Sequence, residues 1–389
     1  MKVGIDRIAF STPNRYLDLV DLAHARGVDP NKYLIGIGQS KMAVPTLSQD
    51  IVAMGANAAQ EVLKGLSDDE KSLIGLLIVA TESGVDQSKA SALFVHELLN
   101  LTASMRTIEI KEACYAGTAG LQLAADFVRA HAGAKALVIA ADIARYGLGS
   151  GGEVTQGAGA VAMMVSANPH ILSLEEHSVV LSRSTDDFWR PNYSTEACAK
   201  GKYSEQVYLE MFAQVWREAK SLGLTSVGDL QALLFHIPFS KMGRKGLRSL
   251  ESMIPPADYE RLTARFEKAI VYGREVGNLY TASLYLSLIS LLEQDDSLRA
   301  NDRIGLFSYG SGSVAELFFG TLQSGYNDRL NRAGHEAMLA ARQRLSMSEY
   351  ESIFSDSLVV DGSRQDIEDG DPAAPHALSR IEGHERFYR

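Results

Sequence analysis

Cys114 is the residue whose type and setting most directly suggest chemistry. It lies in KEACYAGTAGLQ, after an apolar stretch predicted to be a strand and before a proline-free run predicted to be a helix. A thiol at a helix N-terminus meets the positive end of the helix dipole, which lowers the pKa of the cysteine. The sequence therefore offers Cys114 as a nucleophile, or alternatively as a small buried side chain. The other cysteine, Cys198, lies in the polar segment TEACAKGK and is predicted to be incidental.

Two further side chains have settings that suit acid–base work. Glu82 ends the apolar run LLIVATE, so its carboxyl should stand at the carboxyl edge of a sheet, where partial burial would raise its pKa towards that of a useful base. His236 lies within the apolar run LQALLFHIPF, whereas His24, His131 and His335 lie in polar segments and are predicted to be on the surface. The alternatives are a helix-capping or solvent-facing acid for Glu82 and a core histidine bonded to the backbone for His236.

A cluster of basic residues follows His236 directly. The segment SKMGRKGLRSL places Lys241, Arg244, Lys245 and Arg248 on one face of a predicted helix. Beside a candidate active-site histidine, this face either attracts phosphate groups or is simply solvated.

Composition limits what these residues can be part of. The chain has 389 residues, 46% of them hydrophobic and 22% charged, which is typical of a globular protein with a large core. A net charge of −10 argues against a general nucleic-acid or membrane-surface binder, and the cysteine and histidine spacing predicts no metal site. With two cysteines, a charged N-terminus and no apolar run of about 18 residues, we expect a cytoplasmic protein without a membrane span.

The elements that must position these residues follow from the hydrophobic pattern. Short apolar runs at Leu73–Thr81 and Arg106–Ile110 predict strands. Longer amphipathic runs predict helices over Ser48–Leu63, Tyr115–Ala130 and Ser204–Leu222. Ser48 is the predicted N-cap of the first of these helices, and Ser204 is the predicted N-cap of the third. This alternation favours α/β layering around a partly parallel sheet. Residues 361–375 predict a solvated loop, and residues 376–388 a strand-like tail.

The sequence also contains signs of an internal repeat. Three pairs of features recur at similar offsets: the strands Gly157–Val165 and Gly310–Phe318 (310 − 157 = 153), the strand ends at Glu82 and His236 (236 − 82 = 154), and the helix starts at Cys114 and Asn278 (278 − 114 = 164). Either two copies of one α/β unit bring these corners to one place, or small-residue strands resemble each other by chance.

Taken together, these segments resemble the bacterial-type 3-hydroxy-3-methylglutaryl-CoA synthase family of the thiolase-like superfamily. The resemblance rests on seven motifs in family order: IGIGQSKMAVP (residues 35–45), DIVAMGANAA (50–59), VATESGVDQSKA (79–90), EACYAGTAGLQ (112–122), FHIPFSKMGRKG (235–246), VGNLYTASLYL (276–286) and SYGSGSVAE (308–316).

The resemblance implies an α/β protein with a duplicated, five-layered αβαβα thiolase-like fold. Residues 1–166 would form an N-terminal half with Glu82 and Cys114, and residues 167–389 a C-terminal half with His236 and Asn278. It also implies a homodimer, and its substrates would be acetyl-CoA and acetoacetyl-CoA, with no metal or redox cofactor.

The resemblance also implies roles for individual residues. Cys114 would be acetylated, Glu82 would remove a proton from the acetyl methyl group, and His236 would hold and protonate the alkoxide. The backbone of Cys114 and that near Ser311 would stabilise oxyanions. Further substrate-binding positions are Tyr146, Thr155, Phe188, Pro238 and Asn278 around the acyl group, and Lys241 and Lys245 at the CoA phosphates.

Three alternative functions of the same fold stand beside this one. A ketoacyl synthase would share the cysteine, histidine and asparagine but would not be expected to carry Glu82, and a thiolase would need a second cysteine where SYGSGS has serine. A non-catalytic acyl-CoA-binding protein of the same fold would be expected to lack Cys114, Glu82 or His236.

Overall fold

The strands of the computed structural model, which describes residues 1–368 and 370–389, fall into one large sheet and three small ones. They are β1 (Val3–Ser11), β2 (Arg15–Asp18), β3 (Lys41–Ala43), β4 (Ile74–Ala80), β5 (Arg106–Ile110), β6 (Lys135–Ala144), β7 (Gly157–Ala167), β8 (Leu172–Leu174), β9 (Val179–Ser182), β10 (Phe188–Trp189), β11 (Cys198–Ala199), β12 (Leu230–Phe235), β13 (Arg303–Gly310), β14 (Val314–Leu322), β15 (Gln343–Arg344), β16 (Gln365–Asp366), β17 (Leu378–Glu382) and β18 (Glu385–Tyr388).

The α-helices cover both faces of the large sheet. They are α1 (Leu19–Ala25), α2 (Ile51–Leu63), α3 (Asp68–Ser72), α4 (Ser91–Leu98), α5 (Ala116–Ala130), α6 (Gly201–Ser221), α7 (Ser240–Arg248), α8 (Pro256–Ala269), α9 (Val271–Val276), α10 (Ser283–Gln294), α11 (Arg332–Ala340) and α12 (Met347–Ser355). Within the described residues, no helix is both long and apolar enough to span a membrane.

The large sheet has two wings that repeat one pattern of strand directions. Its order is β12-β13-β14-β8-β1-β7-β6-β4-β5, with β9 also paired to β14. In one wing β4 runs parallel to β6, while β6–β7 and β7–β1 are antiparallel. In the other, β12 runs parallel to β13, while β13–β14 and β14–β8 are antiparallel. The wings join where β1 pairs with β8.

Three apolar clusters give this sheet its layers. The first joins side chains of α5 and α10, such as Leu121 and Leu288, to the inner faces of both wings. The second joins α2 and α4 to the outer face of the β4–β7 wing, and the third joins α6 and α8 to the outer face of the β12–β14 wing. The result is the five-layered αβαβα, thiolase-like fold, because α5 and α10 form a helical layer between the two wings.

The predicted elements are present, but the two serine caps are wrong. The cap of α2 is Asp50, whose carboxylate accepts hydrogen bonds from the N–H groups of Val52 and Ala53. Ser48 lies before this cap, completely buried. Ser204 lies inside the first turn of α6, and its hydroxyl donates to Asp187 Oδ2 at 3.1 Å. Neither serine therefore stands at the N-cap position, where a hydroxyl could accept from the first-turn N–H groups.

The C-terminal tail is confirmed as strand, folded into a β17–β18 hairpin that packs on the start of α2. Tyr388 and Arg386 bond Asp50 Oδ2 at 2.7 and 2.9 Å. The predicted loop at residues 361–375 contains the short strand β16, and its Asp369 lies outside the described residues. The division of the chain between residues 166 and 167 stays a prediction, and it falls at the last residues of β7.

Candidate active site

The turn that carries Cys114 joins β5 to α5. Helix α5 begins at Ala116 with Tyr115 as its N-cap, so Cys114 lies just before the first turn. Ala113 has a positive φ of 40°, which is uncommon for a residue with a Cβ and turns the chain sharply at the thiol. The prediction of a lowered thiol pKa is wrong, because burial and the nearby carboxyl of Glu82 raise the pKa of Cys114 well above its usual value.

Cys114 and Glu82 are brought into direct contact. Glu82 follows the end of β4, and the Cys114 thiol donates to its Oε1 across 3.6 Å. Burial, reinforced by the charge of Asp142, raises the pKa of Glu82 to about 8, while Arg190 acts in the opposite direction. Arg190 also donates a hydrogen bond to the Glu82 carbonyl. A carboxyl whose pKa lies near neutral pH can both accept a proton from a reacting group and return it.

Asp142, in the carboxyl-terminal part of β6, accepts hydrogen bonds from the Glu82 segment and from the segment before α10. It is completely buried, and its Oδ1 accepts hydrogen bonds from the Glu82 N–H, the Thr81 hydroxyl and the Ser83 hydroxyl at 2.9–3.0 Å. Its Oδ2 accepts from the N–H and hydroxyl of Thr281, at 3.1 and 2.5 Å. Because Thr281 comes just before α10, Asp142 links the Glu82 corner to the segment that carries Asn278.

Asn278 and His236 each present a side-chain nitrogen without a protein partner among the described residues. Asn278 is buried, its Oδ1 accepts from Tyr280 N and Ser283 Oγ, and its Nδ2 has no partner. His236 follows β12 and is also buried, and its Nδ1 has no partner. Burial lowers the pKa of His236 to about 3, so the ring is neutral. Buried polar groups are rarely left unsatisfied, so these two nitrogens suit a bound molecule.

Aromatic side chains line the site next to the thiol and carboxyl. The rings of Tyr146, Phe188 and Tyr280 pack edge to face with centroids 5.7–6.3 Å apart. Burial raises the pKa of Tyr146, and the proximity of Cys114 and Glu82 adds to that rise. Thr155 is in hydrogen-bonding contact with Tyr146. These contacts place Tyr146, Phe188 and Thr155 on one wall beside Cys114 and Glu82, and their role in an acyl pocket stays a prediction.

The glycine-rich loop containing Ser311 approaches the Cys114 turn closely. A Cβ added to Gly310 would lie 2.7 Å from the Glu112 carbonyl oxygen and from the N and Cβ of Tyr115. Only glycine therefore fits at this crossing, which brings Ser311 beside the turn that carries Cys114. His236 lies at the adjacent strand end, because its N–H donates to the Phe307 carbonyl of β13 at 2.7 Å.

The basic face behind His236 forms as a helix, α7, but most of its charge is paired. Arg244 makes two 2.6 Å bonds to Glu267, Lys245 lies 2.5 Å from Glu205, and Arg248 lies 3.8 Å from Glu251. Within the part of the chain that the structure describes, no ion pair involves Lys241. Half-buried Pro238 separates His236 from this helix.

Sequence reasoning missed Asp142, Arg190 and Tyr280. Asp142 carried a usable signal, because it is a lone acid that follows the apolar run Ala136–Ala141, whereas Arg190 comes from a segment distant in sequence. The prediction that His335 is on the surface is wrong: it is buried, and its Nδ1 lies 2.9 Å from Glu293 Oε1. Cys198 is exposed and free. Among the described residues, no group of three or more histidine, cysteine or acidic side chains could hold a metal ion.

A five-layered αβαβα fold with a cysteine before its central helix defines a thiolase-like enzyme class. The family models for the N-terminal and C-terminal domains of hydroxymethylglutaryl-coenzyme A synthase match residues 1–170 and 248–357. Hydroxymethylglutaryl-CoA synthase from Enterococcus faecalis is 49% identical over 389 residues, which is all of both chains. The chain belongs to the hydroxymethylglutaryl-CoA synthase family.

Relatives of two kinds share the fold. A crystal structure of HMG-CoA synthase complexed with CoA matches with a TM-score of 0.96 and 41% identity, covering 100% of this chain and 99% of the other. The curacin-pathway HMG synthase in complex with holo donor-ACP matches with a TM-score of 0.92 and 31% identity, covering all of both chains. The polyketide 3-hydroxy-3-methylglutaryl-ACP synthase PksG of Bacillus subtilis is 33% identical, over 92% of this chain and 90% of that one.

Proposed function

We propose that this protein condenses acetyl-CoA with acetoacetyl-CoA to 3-hydroxy-3-methylglutaryl-CoA, the acyltransferase step of the mevalonate pathway. The observation that carries the proposal is the 3.6 Å contact between the Cys114 thiol and the Glu82 carboxyl. It joins a nucleophile to a base within the fold of this family. Incubation with both thioesters should yield the product, and intact mass after acetyl-CoA alone should show one added acetyl group.

Acetylation is the first half of the reaction. The Cys114 sulfur attacks the thioester carbonyl of acetyl-CoA, the bond from that carbonyl to the CoA sulfur breaks, and CoA leaves with the thiol proton. The raised pKa of Cys114 makes a free thiolate scarce, so the proton must move as the new carbon–sulfur bond forms. Backbone N–H groups of Cys114 and near Ser311 are the proposed donors to the tetrahedral oxyanion.

Condensation is the second half. Glu82 takes a proton from the acetyl methyl group, and the resulting enolate carbon bonds to the ketone carbon of acetoacetyl-CoA. Neutral His236 and the Asn278 amide are suited to hold the developing oxyanions, since each has an unpartnered buried nitrogen. His236 passes its N–H proton to the alkoxide and is reprotonated as the Glu82 carboxyl gives up the proton that it took from the methyl group. Water then cleaves the bond between the product and the Cys114 sulfur, with its hydroxyl completing the product's carboxyl group and its remaining proton going to the sulfur. Only acyl groups and protons move, so the proposed reaction needs no redox cofactor.

The acyl donor and acceptor are proposed to be CoA thioesters, not acyl groups on a carrier protein. Both kinds of relative share the fold, but the CoA-dependent name belongs to the relative at 49% identity and the carrier-protein name to one at 33%. We expect acetyl-CoA to acetylate Cys114 when no acyl carrier protein is present, and that result would support this choice.

Lys241 is the better of the two lysines predicted to meet the CoA phosphates. Lys245 would first have to leave Glu205, whereas no ion pair competes for Lys241 among the described residues. Lys241→Ala should raise KM for acetyl-CoA about fivefold, corresponding to about 1 kcal/mol for a partly exposed charge pair, with kcat little changed. Lys245→Ala should raise KM less.

Steady-state kinetics at low and high salt would measure this. The Lys241 effect should shrink at high ionic strength, because screening weakens exposed charge pairs. Arg248→Ala is the matched control, since it removes a charge from an 80% exposed side chain on the same helix. A KM indifferent to Lys241 and to salt would mean that the basic face is only solvated.

We further propose that two copies pair through β5. Among the described residues β5 pairs only with β4, so its outer edge offers backbone groups to another strand, and Ile108 on it is 40% exposed. Light scattering should give about twice the 42.3 kDa chain mass, and Ile108→Lys should give single chains. Leu93→Lys, at a similarly exposed leucine on α4, should leave the dimer intact. A wild-type mass of one chain would contradict this.

We place the protein in the cytoplasm, where thiols stay reduced. Both cysteines are free, and the proposed chemistry requires Cys114 as a thiol. Recovery of the protein outside the cytoplasmic fraction of its cells would argue against this location.

A further inference from the structure

Glu316, on β14, is a buried carboxylate that the proposed reaction does not use. It is 2% exposed. Its Oε2 accepts a hydrogen bond from the Tyr115 hydroxyl at 2.7 Å, and its Oε1 accepts one from Gln122 Nε2 at 2.9 Å. Tyr115 is the N-cap of α5 and Gln122 lies further along the same helix, whereas Glu316 belongs to the opposite wing of the sheet. The Ser178 side chain is a third hydrogen-bond partner of Glu316. Burying a carboxylate costs free energy unless its oxygens accept hydrogen bonds, so the donors that surround Glu316 are needed to keep it in the interior.

The contact between Glu316 and Tyr115 lies next to Cys114, the proposed nucleophile. Tyr115 directly follows Cys114 and caps α5. The β13–β14 hairpin that carries Glu316 also carries Gly310 and Ser311, and Gly310 packs on the backbone of Tyr115. The hairpin therefore touches the nucleophile turn twice, once through the close backbone crossing at Gly310 and once through the Glu316 carboxylate.

We propose that Glu316 is a positioning residue: through Tyr115 it holds the Cys114 thiol against Glu82 and beside the Ser311 loop. The idea deepens the proposed function and rests on it. Ala113 adopts an uncommon positive φ, a strained conformation that persists only where the surrounding structure holds it. A tether from the facing wing fixes the sulfur where attack requires it. A displacement of about 1 Å can slow such a step about 10²-fold.

Tyr115→Phe and Glu316→Gln test this proposal. Tyr115→Phe removes only the hydroxyl, and Glu316→Gln keeps the shape but removes the charged acceptor. Each should slow acetylation of Cys114 by about 10- to 100-fold, with little change in KM for acetyl-CoA. The double variant should be about as slow as the slower single variant, because the two groups act as one unit.

Tyr285→Phe is the matched control. It also removes a buried hydroxyl bonded to α5, here to Thr118 Oγ1 at 2.7 Å, but one turn away from Cys114. Its acetylation rate should stay within about threefold of wild type if position at the nucleophile turn is what matters. Thermal unfolding of all variants separates lost positioning from lost stability.

Alkylation of Cys114 by iodoacetamide provides a readout that needs no catalytic activity. In Tyr115→Phe the sulfur should move away from the half-buried Glu82 carboxyl, so the pH midpoint of alkylation should fall, whereas Tyr285→Phe should match wild type. The positioning role is overturned if that midpoint is unchanged, if the losses of the single variants multiply, or if the control loses as much. A wild-type protein that is never acetylated would instead sink the proposed function, and the alkylation result would still stand.

Discussion

Replacing Cys114 by serine should abolish acetyl transfer to the protein while leaving the fold intact. Serine differs from cysteine by one atom, so packing at the half-buried turn should be preserved. Its hydroxyl, however, does not ionise at neutral pH. The site disfavours ionisation even of the more acidic thiol, because burial and Glu82 raise the pKa of Cys114. We expect overall activity to fall by at least about 10⁴-fold, as when other catalytic nucleophiles are removed.

Intact-mass analysis after incubation with acetyl-CoA alone is the direct measurement. The wild type should gain one acetyl group, and Cys114→Ser should gain none. Cys198→Ser is the matched control, because Cys198 is the only other cysteine in the sequence and is exposed. It should be acetylated as the wild type is. Covalent acetylation that persists in Cys114→Ser would show that the nucleophile lies elsewhere.

Replacing Glu82 by glutamine should stop carbon–carbon bond formation and spare acetylation. Acetylation requires no carbanion, whereas condensation requires a base for the acetyl methyl group. Loss of a positioned general base costs about 10²–10⁴-fold, so condensation should fall by that amount. Acetyl loading should change far less, because the glutamine oxygen can still accept from the thiol. Removal of the Glu82 charge should also lower the thiol pKa, which that charge helps to raise.

The pH dependence gives this prediction a second readout. A base must be ionised to act, and burial raises the pKa of Glu82 to about 8, so the carboxylate fraction grows as pH rises through that value. Condensation by the wild type should therefore speed up between about pH 7 and pH 8. Glu82→Gln should show no such rise, since the titrating group is gone.

Single-turnover mass spectrometry would measure both steps: loading with acetyl-CoA, then addition of acetoacetyl-CoA. Glu109→Gln is a suitable control, because Glu109 lies near the Glu82 loop and accepts from the Ser91 N–H without contacting Cys114. If Glu82→Gln condensed at the wild-type rate, Glu82 would be a structural acid. The ketoacyl-synthase alternative, with His236 and Asn278 acting on another substrate, would then become the stronger hypothesis.

Local sequence pattern was enough to locate the ends of the key strands and helices. Apolar runs ending in Glu82 and His236, and a helix beginning after Cys114, each depend on residues adjacent in the chain, which is why periodicity could identify them. The five-layered fold followed from the family resemblance, since no local pattern reveals how two wings of a sheet enclose α5 and α10. The predicted caps at Ser48 and Ser204 are wrong because Asp50 caps α2 and α6 begins before Ser204.

Only the tertiary structure decided the electrostatics of the site. The raised pKa values of Cys114 and Glu82 depend on burial and on Asp142, which reaches them from another strand. The paired charges of α7 depend on acids from α6 and α8, and the tether from Glu316 to Tyr115 joins residues 201 positions apart. Sequence shows which groups can titrate or bond. Because electric fields and desolvation act through space, the partners that each group meets are fixed only when the chain folds.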